Sequence, residues 1–219
     1  MSRKLMVVLA ALLALAVFLI AAIVYDRQGK QAVAQSAQDH RAALVRPDAA
    51  VYGNPDAKVS IVEFLDPACE ACRAFYPLVK GLVNASFGRV NLVLRYAAFH
   101  QGSDQAVKIL EAARKQPEMY WPVLEIMLKT QPQWASHDHP QPAMLWQLIG
   151  ETGVDVARAK LDANDPAIQK RLDQDMADVL TLKISKTPSF FVNGKPLLEF
   201  GAEQLKRLVE AEVRSAYPK

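Results

Sequence analysis

The stretch Phe64-Leu65-Asp66-Pro67-Ala68-Cys69-Glu70-Ala71-Cys72-Arg73-Ala74-Phe75-Tyr76-Pro77 holds the only two cysteines of the 219-residue chain. They sit three apart, where one kind of pattern gives way to another. Before them, Val59–Leu65 is short, apolar and β-branched, the mark of a buried strand. After them, residues 69–86 carry a helical stripe, and Val90–Tyr96 reads as a second strand. Strand, helix, strand at this spacing is a parallel unit with a right-handed crossover.

Beyond this unit the pattern changes. Residues 103–184 read as helix after helix, broken at Pro117, in the 131–142 loop, at Gly150 and Gly153, and at Asn164-Asp165-Pro166. Asp165 before Pro166 is a cap followed by a first-turn proline. Ile168, Leu172, Met176, Val179 and Leu180 continue the stripe beyond it. After Thr187-Pro188 come two apolar runs, Ser189–Val192 and residues 195–200, joined by Asn193-Gly194. Asn-Gly between such runs predicts a hairpin. Leu205, Leu208, Val209 and Val213 mark a closing amphipathic helix. The expected order is β-α-β, a helical block, then β-β-α.

Upstream, residues 5–25 contain neither a charge nor a proline. At about 1.5 Å per residue they span roughly 31 Å as a helix, enough to cross a bilayer core. A secretory signal has an apolar region of only about 7–15 residues, so the length favours an uncleaved anchor over a signal cut after Ala32-Val33-Ala34. Arg3 and Lys4 favour the cytoplasmic side for the start of the span. Residues 1–25 are therefore expected to be the membrane anchor and 26–56 a polar tether, partly helical over 31–44. Residues 57–219 form the folded domain with its helical insertion at about 103–184. The expected location is the bacterial inner membrane, with the domain in the periplasm or on the extracellular face, where disulfides persist. Half the residues are hydrophobic, enough for a core. The 26 basic and 23 acidic residues leave a formal charge of +3, and they are scattered, so no basic stripe points to nucleic acid.

Three roles are open to the cysteine pair. Zinc needs four ligands, and His40, His100, His137 and His139 have no finger-like spacing; the last two read as solvated loop residues. A structural disulfide closing so small a ring constrains the unfolded chain least. Redox exchange suits the context best. A thiol at a helix start faces unpaired N–H groups that favour the thiolate, the attacking species. A second thiol nearly one turn later lies beside it and can resolve a mixed disulfide. Cys69 is then the exposed attacker and Cys72 the shielded partner. Glu63 shares a face with Val59, Ile61 and Leu65, and burial there raises its pKa and suits it to relay a proton. Pro188, leading into a strand, cannot donate to the ladder; a cis bond would expose the Thr187 backbone to an extended substrate.

Together, residues 64–72 and Thr187-Pro188-Ser189-Phe190-Phe191-Val192-Asn193-Gly194 resemble the DsbA-like branch of the thioredoxin superfamily. The likeness runs from about Val59 to Val213. It extends to the 103–134 stretch, with Glu111-Ala112-Ala113-Arg114 and Tyr120-Trp121, which is similar to that branch's inserted helices. The resemblance implies a thioredoxin fold with an all-helical insertion and a thiol–disulfide oxidoreductase. Cys69 and Cys72 match the redox pair, Glu63 the buried acid, Pro188 the cis-proline and Thr187 the residue before it. Pro77 matches the proline that kinks the active-site helix. The dithiol carries the two electrons, so no cofactor is implied. Partners are protein thiol or disulfide clients and a recycling redox protein in the membrane.

One departure lies at Glu70-Ala71, the tuning dipeptide, where the best-known oxidase of the branch has Pro-His. Glu70 puts a negative charge beside the thiolate, which favours the disulfide form and predicts a moderately oxidising or reducing exchanger. Arg73 offsets part of this. Two alternatives remain: a dedicated reductant for one client, and a tethered carrier of soft metal such as Cu(I), against which stands the lack of a Met or His cluster near the pair.

Overall fold

The computed structural model describes residues 3–218; Met1, Ser2 and Lys219 lie outside it, as do the side chains of residues 3–8, 10 and 11, among them the charges of Arg3 and Lys4. A helix α1 (Arg3–Asp39) precedes the strands β1 (Ala50–Gly53) and β2 (Val59–Leu65), the helix α2 (Glu70–Asn84) and the strand β3 (Val90–Tyr96). Six helices follow: α3 (Ser103–Arg114), α4 (Tyr120–Lys129), α5 (Gln131–Trp134), α6 (Leu145–Leu148), α7 (Val156–Asp162) and α8 (Pro166–Thr181). The chain ends with β4 (Ser189–Val192), β5 (Lys195–Pro196) and α9 (Ala202–Ala216).

The strands form one mixed sheet in the order β1-β3-β2-β4-β5. β2 lies at its centre, parallel to β3 with Val59 opposite Val90, and antiparallel to β4 with Glu63 opposite Phe190. A strand covered on both faces is apolar on both, which explains its hydrophobic run, interrupted only by Ser60 and Glu63. Val59 and Ile61 pack with Val79 and Val83 of α2 and Leu205 and Val209 of α9. Val62 and Phe64 face the other way, toward Val179 and Leu182 at the end of α8. α2 buries Cys72, Tyr76, Val79 and Val83, the i, i+4, i+7 stripe of an amphipathic helix, and carries Pro77 inside it.

The insertion closes over the end of the sheet from which the cysteines project. Leu65, Cys69, Cys72 and Tyr76 share a core with Leu110, Leu124, Met127 and Trp134 of the inserted helices. Asp165 caps α8 by accepting from the Ala167 N–H at 2.9 Å, with Pro166 in the first turn, as its sequence predicts. Asn193 and Gly194 both have positive φ, the two-residue turn that the right-handed twist of a hairpin prefers. The returning strand is shorter than the predicted 195–200. Pro196 has no N–H for the ladder, and after Leu197 N–H donates to the Phe190 carbonyl at 2.8 Å the chain leaves the sheet.

The segment predicted as a tether is built into this architecture. α1 continues unbroken through residue 39, where Ala37 is buried and the Ser36 hydroxyl donates to the Thr181 carbonyl at 2.5 Å. β1 adds to the sheet edge, with Ala50 opposite Leu94. Arg46 reaches Asp178 of α8 at 2.6 Å. Within 26–56, Arg46 and the carbonyls of Ala43 and Leu44 are thus partners of a buried network. At its centre Arg95, fully enclosed in β3, donates to Asp175 and Asp178 at 2.6 Å and to the carbonyls of Ala43 and Leu44 at 2.7 and 3.0 Å. Removing one member would strand a charge, at a cost of about 3–5 kcal/mol.

Candidate active site

β2 ends at Leu65 and the chain turns at once into α2. Asp66 makes the turn: its Oδ1 accepts from the Ala68 N–H at 2.9 Å, and its carbonyl accepts from the Cys69 N–H at 3.1 Å. Cys69 takes the N-cap position with extended backbone, so its sulfur meets the free N–H groups of the first turn. Cys72 lies one turn on, completely buried, with the Asp66 N–H 3.5 Å from its Sγ. Both cysteines are free thiols. Across the site the Thr187–Pro188 peptide bond is cis, and the Thr187 carbonyl accepts from Cys69 Sγ at 3.3 Å. Pro188 is buried and Thr187 half-buried.

Beneath the sulfurs lies Glu63. It is completely buried, and neither carboxylate oxygen has a hydrogen-bond partner among the described residues. Burial, helped by the nearby Cys69 charge, pushes its pKa up to about 8. The two thiols are driven apart. A hydrogen bond from the Cys72 thiol draws Cys69 down to about 5; partial burial opposes this, while the Thr187 side chain and the N–H groups of Cys72 and Ala71 assist. The Thr187 carbonyl itself accepts from a thiol and so works against ionisation. Burial holds Cys72 far above the ordinary thiol range, with the hydrogen bond to Cys69 and the Glu63 charge adding to it. Cys69, expected to be the exposed member, is itself buried, because the insertion and the Thr187–Pro188 turn cover it; Cys72 is covered completely. At neutral pH the Cys69 sulfur is therefore the ionised nucleophile and Cys72 a shielded thiol above an acid able to exchange protons.

The sequence-predicted residues Glu63, Cys69, Cys72, Thr187 and Pro188 meet at this one place. Ala71 packs into the core formed with the insertion, and Glu70 is exposed at the rim. Arg73 makes no ion pair among the described residues. The partner of Glu70 comes from the 131–142 loop: His137 Nε2 lies 2.9 Å from Glu70 Oε1, while His137 itself stays exposed, as its loop context predicts.

Other neighbours carry no signal in sequence. Asp66 is completely buried and receives the Phe99 and His100 N–H groups at 2.8 and 2.9 Å, His100 Nδ1 at 2.7 Å and the Ser103 hydroxyl. Gln131, from α5, donates to the carbonyls of Pro67 at 2.8 Å and Cys69 at 3.0 Å, fastening the insertion to the turn that carries the thiols. Asp66-Pro67 reads as an ordinary strand-ending turn; a buried carboxylate collecting five donors is visible only in three dimensions. Among the described residues, no group of three or more His, Cys, Asp or Glu side chains is arranged to hold a metal ion.

A family model described as thioredoxin matches residues 46–211. The chain is 30% identical over 169 residues to the Na(+)/H(+) antiporter NhaA of Herminiimonas arsenicoxydans, covering 75% of this chain and 25% of the antiporter. It thus spans about a quarter of that relative's length. With disulfide bond formation protein D of Bacillus subtilis (strain 168) it shares 27% identity over 173 residues, 75% of this chain and 77% of that one. The structure of a thioredoxin-like oxidoreductase from Silicibacter pomeroyi DSS-3 superposes with a TM-score of 0.67 at 30% identity, covering 78% of this chain and 96% of that chain. The matched residues include the whole sheet and every group of the site, and the chain belongs to the thioredoxin family.

Proposed function

We propose that the chain is a membrane-tethered thiol–disulfide oxidoreductase that exchanges disulfides with protein clients on the exported side of the membrane. The observation that carries this reading is the Cys69 sulfur at the start of α2, 3.3 Å from the carbonyl before cis-Pro188, with Cys72 buried behind it. In the reducing direction the Cys69 thiolate attacks a client disulfide, forming a mixed disulfide and expelling one client thiolate. The mixed disulfide removes the Cys69 charge that helps hold Glu63 protonated; Glu63 in its ionised form takes the Cys72 proton, the Cys72 sulfur attacks Cys69, and the second client thiolate leaves. Two electrons pass to the client and a Cys69–Cys72 disulfide remains. Oxidation of a client runs through the same steps in reverse. An extended client chain lies along the Thr187–Pro188 edge, where backbone pairing supplies affinity without sequence preference. Glu70 and Ala71 tune the pair from between its members.

The anchor is supported by α1. Its part from Leu12 onward includes a stretch of mean hydropathy 1.6, none of it buried against the protein. Leu13, Phe18 and Ile20 are all open to the surroundings, as lipid-facing side chains are. A membrane redox protein that accepts or returns the two electrons completes the cycle.

Insulin reduction and the refolding of a scrambled disulfide protein test the reading. The chain is expected to accelerate at least one of them, and Cys69→Ser to lose at least about a hundredfold of that rate. Equal rates for the chain and Cys69→Ser in both assays would overturn it.

A further inference from the structure

The rim of the site is more charged than the thiol chemistry needs. Glu70, between the cysteines, brings a negative charge that disfavours a thiolate at Cys69. Two histidines from distant parts of the chain answer it. His100, on the loop after β3, is locked through Nδ1 to Asp66 at 2.7 Å and through its own N–H to the same oxygen at 2.9 Å. His137, from the loop after α5, lies 2.9 Å from Glu70, and the two imidazole centroids are 5.9 Å apart. We propose that His100 and His137 are positioning residues of the exchange site, a bracket in which His137 holds Glu70 by a hydrogen bond and His100 faces the thiol, favouring the attacking form of Cys69 and thereby setting the reduction potential of the pair.

This rests on the exchange reading above. Three elements converge to build the bracket: the end of β2 with Asp66, the loop after β3 with His100, and the insertion with His137. Asp66 is the hinge of the arrangement, because the same residue that clamps His100 also directs its N–H at Cys72 Sγ. Among the described residues, the charged or titratable groups facing His100 are Asp66 from the turn after β2, Cys69 and Glu70 from the start of α2, and His137 from the insertion. Partial burial lowers its proton affinity, but the Asp66 hydrogen bond and charge, then the Cys69 and Glu70 charges, raise it above the ordinary 6.5. The interaction is reciprocal: a thiolate that holds a proton on His100 is itself favoured by that proton. The window runs from the Cys69 pKa of about 5 upward to that of His100. Above it the cation is lost and the thiolate loses support. Disulfide formation removes the thiolate, so His100 must then bind its proton more weakly.

The test uses the full chain. The titrations of His100 and His137 are followed by NMR in the dithiol and disulfide forms, and that of Cys69 by thiolate absorbance. The His100 proton affinity is expected to fall about threefold on oxidation, the size of a partly exposed ion pair. His100→Gln, which keeps a hydrogen-bond donor for Asp66, and His137→Gln should each raise the proton affinity of Cys69 about threefold. The double variant is expected to raise it about tenfold. At about pH 6, only one unit above the Cys69 pKa of about 5, the glutathione equilibrium of the double variant should move about fivefold toward its disulfide, about 20 mV more reducing. A His100 titration identical in the two redox forms would overturn the bracket, and it needs no variant to fold. So would variants whose Cys69 titrates as in the unaltered chain. A chain that shows this coupling but exchanges no disulfide with insulin would refute the exchange reading and leave the bracket standing.

Discussion

Cys72→Ala converts the chain into a covalent trap: incubated with oxidised client proteins, it accumulates mixed disulfides that survive non-reducing electrophoresis. Cys69 keeps its place at the start of α2, so the first attack proceeds. The second attack then has no internal thiol. In the unaltered chain Cys72 sits one turn from Cys69, where oriented intramolecular groups act at effective concentrations of about 10⁵ M or more. Replacing it by millimolar external thiol lengthens the life of the complex by at least about 10³-fold, even after the cost of ionising a buried thiol is allowed for. Mass spectrometry of the complexes should find every client bonded through Cys69. Complexes equally abundant with Cys69→Ala, or none with Cys72→Ala, would contradict the assigned roles.

The second large effect combines opposite signs. Glu63→Leu is expected to make the protein more stable and slower. Folding raises the Glu63 pKa from its ordinary 4.5 to about 8, chiefly through burial. A raised carboxyl destabilises the fold wherever the unfolded chain has lost a proton that the folded one retains. The penalty is absent below about pH 4.5, grows by about 1.4 kcal/mol per pH unit, and levels off near pH 8. At pH 7 it is about 3 kcal/mol, and Glu63→Leu should recover a sizeable part of this. Urea midpoints should show a larger gain at pH 7 than at pH 4.5, where only the cost of the unpartnered neutral carboxyl remains. The same change removes the group beneath Cys72 that accepts its proton. Resolution of mixed disulfides should slow by about 10²-fold or more, as general acid–base contributions usually do. A variant that is destabilised at pH 7, or that resolves at the original rate, would remove Glu63 from the mechanism.

What the sequence discloses about this protein is what short-range pattern can carry. The runs Val59–Leu65 and Val90–Tyr96 are strands from end to end, and legible because a central parallel strand is mostly apolar on both faces. Asn193-Gly194 and Asp165-Pro166 announce their turn and cap through backbone requirements that few other residues meet. Cys69, Cys72, Glu63 and Pro188 are legible for the same reason: each stands out against its immediate neighbours. The remainder depends on partners far away in the chain. Nothing near Arg95 indicates that Asp175 and Asp178 will enclose it, and nothing near Ala50 that four residues of an apparent tether will join the sheet. His137 is solvated, as its proline and aspartate neighbours suggest, but its contact with Glu70 is set by how the insertion docks through Gln131. Electrostatic tuning of the thiols is therefore the part of the site that composition conceals.

The central claim is a transfer of two electrons between this cysteine pair and a client disulfide. Mass spectrometry measures it directly after mixing the fully reduced chain with an equal amount of a client carrying one accessible disulfide, and the fully oxidised chain with the same client reduced. The account predicts that in at least one of the two mixtures two hydrogens pass between the Cys69–Cys72 pair and the client, one disulfide closing as the other opens. A chain and client that both keep their starting states in both mixtures, with the fold intact, would contradict it.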